Sequence, residues 1–95
     1  MDKIVILFTM DGCPFCSIMK EKLTESNINF YERDIDEHKD EYDMFVEITE
    51  NDYVPAFMII EGGEDKEPIT SLYAPERDFN DLDEGIEIIK NKMIL

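Results

Sequence analysis

From Lys3 to Thr9 the chain reads KIVILFT, an apolar run rich in β-branched residues. Such a run, without polar alternation, suits a strand buried on both faces. Met10–Gly12 reads as a short loop. Pro14 fits the first turn of a helix, where its missing N–H forfeits no bond. Phe15, Ile18, Met19 and Leu23 then recur at i, i+3, i+4 and i+8 and predict the apolar face of that helix. Ser26-Asn27 ends it. Asn29–Ile35 reads as a second strand with Phe30 and Ile35 buried, although the alternation there is imperfect.

From about His38 to Glu50, the positions Tyr42, Phe45, Val46 and Thr49 form a second helical stripe. Its outer face is Asp and Glu, which reads as a solvated face. Asn51-Asp52 breaks it. Pro55–Ile60 is a third strand opening at a proline, where a missing donor is tolerable. Residues 61–65, with Gly62-Gly63 inside them, read as a hairpin turn, and Ile69–Tyr73 as the return strand. Asp78 is the expected N-cap of a last helix with Phe79, Leu82, Ile86 and Ile89 facing the core. Gly85 costs that helix about 1 kcal/mol relative to Ala. The order is β-α-β-α-β-β-α, and helices between the first strands imply parallel crossovers. A chain of 95 residues without repeat or linker is expected to be one domain, 1–95.

Charge narrows the partners. Against 24 Asp and Glu stand 9 Lys and Arg, a formal charge of −15. A surface of this sign repels nucleic acid and anionic membranes. Residues 1–30 hold four acidic and three basic side chains, whereas residues 31–52 hold ten and two. The N-terminal third is thus expected to be near neutral and the remainder strongly acidic. The run Ile4–Phe8 is too short for an export signal, and no stretch approaches the ~20 apolar residues of a membrane span. A cytoplasmic location and a monomer are the defaults.

Cys13 and Cys16 are the only cysteines. Reducing thiol pools argue against a structural disulfide in that compartment. His38 is the only histidine, too few ligands for a structural zinc site, so no metal is expected. Cys-x-x-Cys beside a βαβ pattern points instead to redox chemistry.

At these residues the sequence resembles the thioredoxin-fold oxidoreductases, and more closely the glutaredoxins. Cys13-Pro14-Phe15-Cys16 after a buried strand is similar to a dithiol glutaredoxin motif. Tyr53-Val54-Pro55, opening the third strand about forty residues later, is the second match. The resemblance implies a thioredoxin fold, a four-stranded mixed sheet flanked by three helices. It also implies a cis peptide bond before Pro55, lying against the cysteine pair. The C-terminal third departs from glutaredoxins: Leu72–Leu82 looks more like thioredoxin and protein disulfide isomerase domains. Met10 stands where glutaredoxins often have lysine, and Leu7 where thioredoxins bury an acid.

Helix N-termini favour a thiolate at Cys13, and Cys16 lies one turn further in on the same face. Cys13 is therefore the expected nucleophile and Cys16 the resolving thiol. Asp11 opposes the helix dipole and is expected to raise the Cys13 pKa relative to a lysine-flanked glutaredoxin. Pro14, Phe15, Tyr53, Val54 and Pro55 are the candidate substrate contacts, with the Val54 backbone able to pair with an extended segment. Arg77 reads as an ion-pair partner on the acidic surface. The family implies protein disulfide substrates, such as ribonucleotide reductase or peroxide-handling enzymes. It implies either glutathione as co-substrate or a thioredoxin reductase as electron source, and no tightly bound cofactor. Two other classes compete: an iron–sulfur or metal carrier, and a non-catalytic thioredoxin-fold interaction module.

Overall fold

A computed structural model describes residues 2–63 and 66–93. Its elements run β1 (Asp2–Thr9), α1 (Pro14–Glu25), β2 (Tyr31–Asp34), α2 (Lys39–Thr49), β3 (Ala56–Gly63), β4 (Lys66–Tyr73) and α3 (Leu82–Met93). One sheet has the order β2-β1-β3-β4. β1 and β2 are parallel, and β3 is antiparallel to both β1 and β4. This is the expected thioredoxin-like architecture, with one correction: only the first crossover joins parallel strands.

β1 occupies the middle of the sheet, and its apolar run serves both faces. Val5 and Leu7 pack with Phe57 and Ile59 of β3 under Met19, Leu23, Ile86 and Ile89 of α1 and α3. On the opposite face Phe8 meets Ala56, Tyr42 and Phe45, the last two from α2. The rings of Phe8 and Phe45 lie 5.1 Å apart, within the range of favourable aromatic pairing. Each large side chain fully buried here contributes roughly 1.5–3 kcal/mol. Gly85 has a packing reason that propensity does not show: a Cβ there would lie 3.3 Å from Phe79 and 3.5 Å from Met19.

Several boundaries and faces differ from the sequence expectation. Phe15 and Ile18 are exposed, and α1 buries Cys16, Met19 and Leu23 instead. Spacings of three and seven residues put these three on one stripe facing the sheet. The outer face of α2 carries exposed Met44 and Ile48 among its acids, so it is not purely charged. β2 shortens to four residues, and Phe30 and Ile35 are only partly buried beyond its ends. Glu61, Gly62 and Gly63 belong to β3, where Gly62 pairs with Asp2 and a register irregularity follows Glu61. The rest of the expected turn, Glu64-Asp65, lies outside the described residues. β4 forms a sheet edge, which is where Pro68 is tolerated.

Asp78 does not cap α3. Its carboxylate accepts the Ala74 N–H at 2.8 Å and the Arg77 guanidinium at 3.0 Å, holding the loop after β4. The Arg77–Asp78 bond is the surface ion pair expected of Arg77. The cap is Asp81, which accepts the Glu84 N–H at 2.9 Å, while Glu84 reaches back to the Asn80 N–H at 3.2 Å. Reciprocal bonding of this kind satisfies donors at a helix start. Phe79 still enters the core, from the loop.

Candidate active site

The turn from β1 into α1 sets the site. Gly12 has φ +77, a left-handed conformation that glycine adopts without strain. The Cys13 N–H bonds back to the Met10 carbonyl at 3.2 Å, closing the turn. Cys13 is then the N-cap of α1 and Pro14 its first residue. The Cys13 Sγ accepts the Cys16 backbone N–H at 3.1 Å. A sulfur thus takes the capping role usually filled by an oxygen, next to the positive end of the helix dipole. α1 has no acidic residue in its first turn.

The cysteines form a disulfide in this structure, with Cα atoms 5.3 Å apart, inside the range such bonds require. Exposure differs between them: Cys13 retains 9% and Cys16 only 2%. Cys13 is therefore the more accessible of the two.

The pair lies between two unlike flanks. On the β2 side is an open cleft of about 310 Å³, lined by Thr9, Asp11, Cys13, Cys16, Lys20, Glu32 and Asp34 among others. Parallel pairing puts Leu7 opposite Glu32 and Thr9 opposite Asp34, which carries the β2 acids to the end of β1. Buried Thr9 donates its hydroxyl to Glu32 at 2.7 Å, and Lys20 donates to the same oxygen at 3.0 Å. These two bonds, that from Thr9 the stronger influence, hold the Glu32 carboxyl below its ordinary pKa. The expected near-neutral surroundings of Cys13 are thereby corrected: acids distant in sequence are adjacent in space.

On the β3 side is the segment Tyr53-Val54-Pro55. The Val54–Pro55 peptide is cis. Ala56 pairs with Phe8, so Pro55 falls level with the end of β1. Tyr53 is 54% exposed and Phe15 62%, while Val54 is half-buried and Pro55 buried. Of the proposed contacts, only Pro14 lines the cleft with the two cysteines. Asn51, which the sequence reading treated as a helix breaker, ties this segment down. Its side chain donates to the Pro75 carbonyl at 2.7 Å and accepts the Tyr53 N–H at 2.9 Å. Helix α2 itself ends through Glu50 in the left-handed region, φ 57.

A family model described as Glutaredoxin matches residues 5–64, from β1 to the end of β3. The chain belongs to the glutaredoxin family. The match holds both motifs on which the resemblance rested, and it ends before β4 and α3, where the sequence departs from glutaredoxins. No curated protein matches the chain. Family membership and the close cysteine pair support thiol oxidoreductase chemistry in general. Glutathione or disulfide-bearing proteins are the partner classes the family implies. No helix among the described residues is long and apolar enough to cross a membrane. Among the described residues no three His, Cys, Asp or Glu side chains converge to hold a metal ion.

Thr9, Lys20, Glu32, Asp34 and Asn51 are the site residues that sequence reasoning missed. One signal was available for the β2 pair: in Tyr31-Glu32-Arg33-Asp34 polar residues occupy positions an interior strand would fill with apolar ones.

Proposed function

We propose that this glutaredoxin-family protein reduces protein disulfides with its dithiol pair. The carrying observation is the Cys13 Sγ at the N-cap of α1, accepting the Cys16 N–H with Cys16 buried behind it. The Cys13 thiolate attacks one sulfur of a substrate disulfide. A Cys13–substrate disulfide forms, and the other substrate sulfur leaves as a thiolate. Cys16 loses its proton and attacks the Cys13 sulfur, forming the Cys13–Cys16 disulfide and releasing the second substrate sulfur. Two electrons pass to the substrate. Exposed Phe15 and Tyr53 and half-buried Val54 supply the surface against which the substrate segment lies, with the Val54 backbone next to the turn at Pro55.

Trapping tests this assignment. The Cys16→Ser variant should accumulate a mixed disulfide with insulin-type disulfide substrates in turnover, and Cys13→Ser should lose disulfide reductase activity. Retention of activity by Cys13→Ser, or trapping through residue 16 in that variant, would refute the assigned roles.

A further inference from the structure

The cleft beside the pair carries a charge pattern that bears on the choice of thiol partner. Asp11, Glu32 and Asp34 line it, and Lys20 is the one cation among the lining residues. Lys20 is already bonded to Glu32 at 3.0 Å. Arg77 is likewise engaged, with the Asp78 carboxylate and the Leu72 carbonyl. The N-terminus of α1 offers about half a positive charge, which is less than the excess of carboxylates. A thiol approaching Cys13 from this side meets net negative potential.

Resting on the thiol–disulfide reading above, we propose that this cleft selects neutral or cationic thiol partners over glutathione. Glutathione carries two carboxylates and one ammonium group and finds no uncommitted cation among the residues lining the cleft. A protein segment with Lys or Arg beside its reacting cysteine meets complementary charge. A basic protein dithiol or disulfide is therefore favoured over glutathione as the exchange partner at this cleft. Exchange runs in both directions through the same mixed disulfide, so the selection applies to any thiol that enters or leaves through this cleft.

The size of the effect follows from Coulomb's law. Cysteamine and glutathione differ by about two unit charges. At roughly 10 Å in water, two net negative charges in the cleft separate their rates by on the order of tenfold. The Debye length of about 10 Å at 0.1 M salt reduces this to about threefold, and about 1 M salt abolishes it.

The test measures opening of the Cys13–Cys16 disulfide in the oxidised full chain by cysteamine, mercaptoethanol and glutathione. Rates are corrected for thiolate fraction and intrinsic nucleophilicity. The expected order at low salt is cysteamine, mercaptoethanol, glutathione, converging as salt rises. Asp11→Lys should narrow the cysteamine-to-glutathione ratio by threefold or more. Glutathione reacting as fast as cysteamine at low salt would overturn the proposal, as would a ratio that neither salt nor Asp11→Lys changes. The salt series on the unmodified chain decides the matter if the variant does not fold. Failure of all three thiols to open the bond would instead overturn the thiol–disulfide reading, and the selection with it.

Discussion

Replacing Thr9 by Val keeps the shape of the side chain and removes the hydroxyl that holds Glu32. Thr9 is buried, and its 2.7 Å bond goes to a carboxylate. A hydrogen bond to a charged group contributes about 1.5–3 kcal/mol. The Glu32 side chain is 42% exposed, so water replaces part of what is lost. The new methyl also gains some burial, up to about 0.8 kcal/mol. The net loss should be about 1 kcal/mol at neutral pH, read as a fall in Tm of roughly 4–8 °C for a domain of this size. The Lys20–Glu32 pair is half-exposed and adds little on its own.

The pH dependence supplies the sharper check. The folded pKa of Glu32 is depressed below 4.5, first by Thr9 and then by Lys20. A depressed carboxyl pKa gives stability that is present above the unfolded value. That stability is lost as pH falls through the folded value. The deficit of Thr9→Val should therefore be full at neutral pH and shrink by half or more at an acid pH below the folded pKa of Glu32, where the carboxyl is protonated in both states. Thermal unfolding of both proteins at the two pH values measures it. An equal deficit at both, or none at neutral pH, would show that the bond does not act through the ionised carboxylate.

Two other substitutions test the scaffold around the pair. Asn51→Ala removes the two side-chain bonds, at 2.7 and 2.9 Å, that fix Tyr53-Val54-Pro55. It should lower stability by about 1–2 kcal/mol and weaken substrate binding more than turnover, read as a larger change in KM than in kcat. Gly85→Val should cost about 1–3 kcal/mol in urea unfolding, because its side chain enters the space held by Phe79 and Met19. An unchanged unfolding midpoint would mean that α3 shifts freely against α1.

The parts of the fold legible in the sequence are those where burial is one-sided in meaning. KIVILFT suits an interior strand, and β1 is buried on both faces from Val5 to Thr9. Cys13, Pro14 and Cys16 were readable because helix starts and thiol chemistry impose local rules. Elements whose faces depend on a distant neighbour were read less well. The apolar spacing of α1 counted Phe15 and Ile18 as core, but the stripe that meets the sheet is Cys16, Met19 and Leu23. Asp78 had the right residue type for a cap three places too early. Its carboxylate is taken by the Ala74 N–H, which leaves Asp81 to begin the helix.

Charge shows the same limit with a functional consequence. Counting along the chain made the cysteine end almost neutral, because Glu32 and Asp34 fall outside residues 1–30. Parallel strands are joined by a crossover and not by a tight turn that would fix their register, and the alternation of β2 is too imperfect to specify it. Here that register sets Leu7 against Glu32 and Thr9 against Asp34. The imperfect alternation of β2 is then intelligible. An edge strand with acids at Glu32 and Asp34 sacrifices apolar burial and brings two carboxylates to the cysteine cleft. Glu32 is held by Thr9 and Lys20, whereas among the described residues the Asp34 carboxylate bonds only locally, accepting the Asp36 N–H at 2.9 Å. Asp34 and Asp11 are thus the acids of the cleft not neutralised by Lys20. They carry the discrimination between thiols, and Glu32 carries the stability.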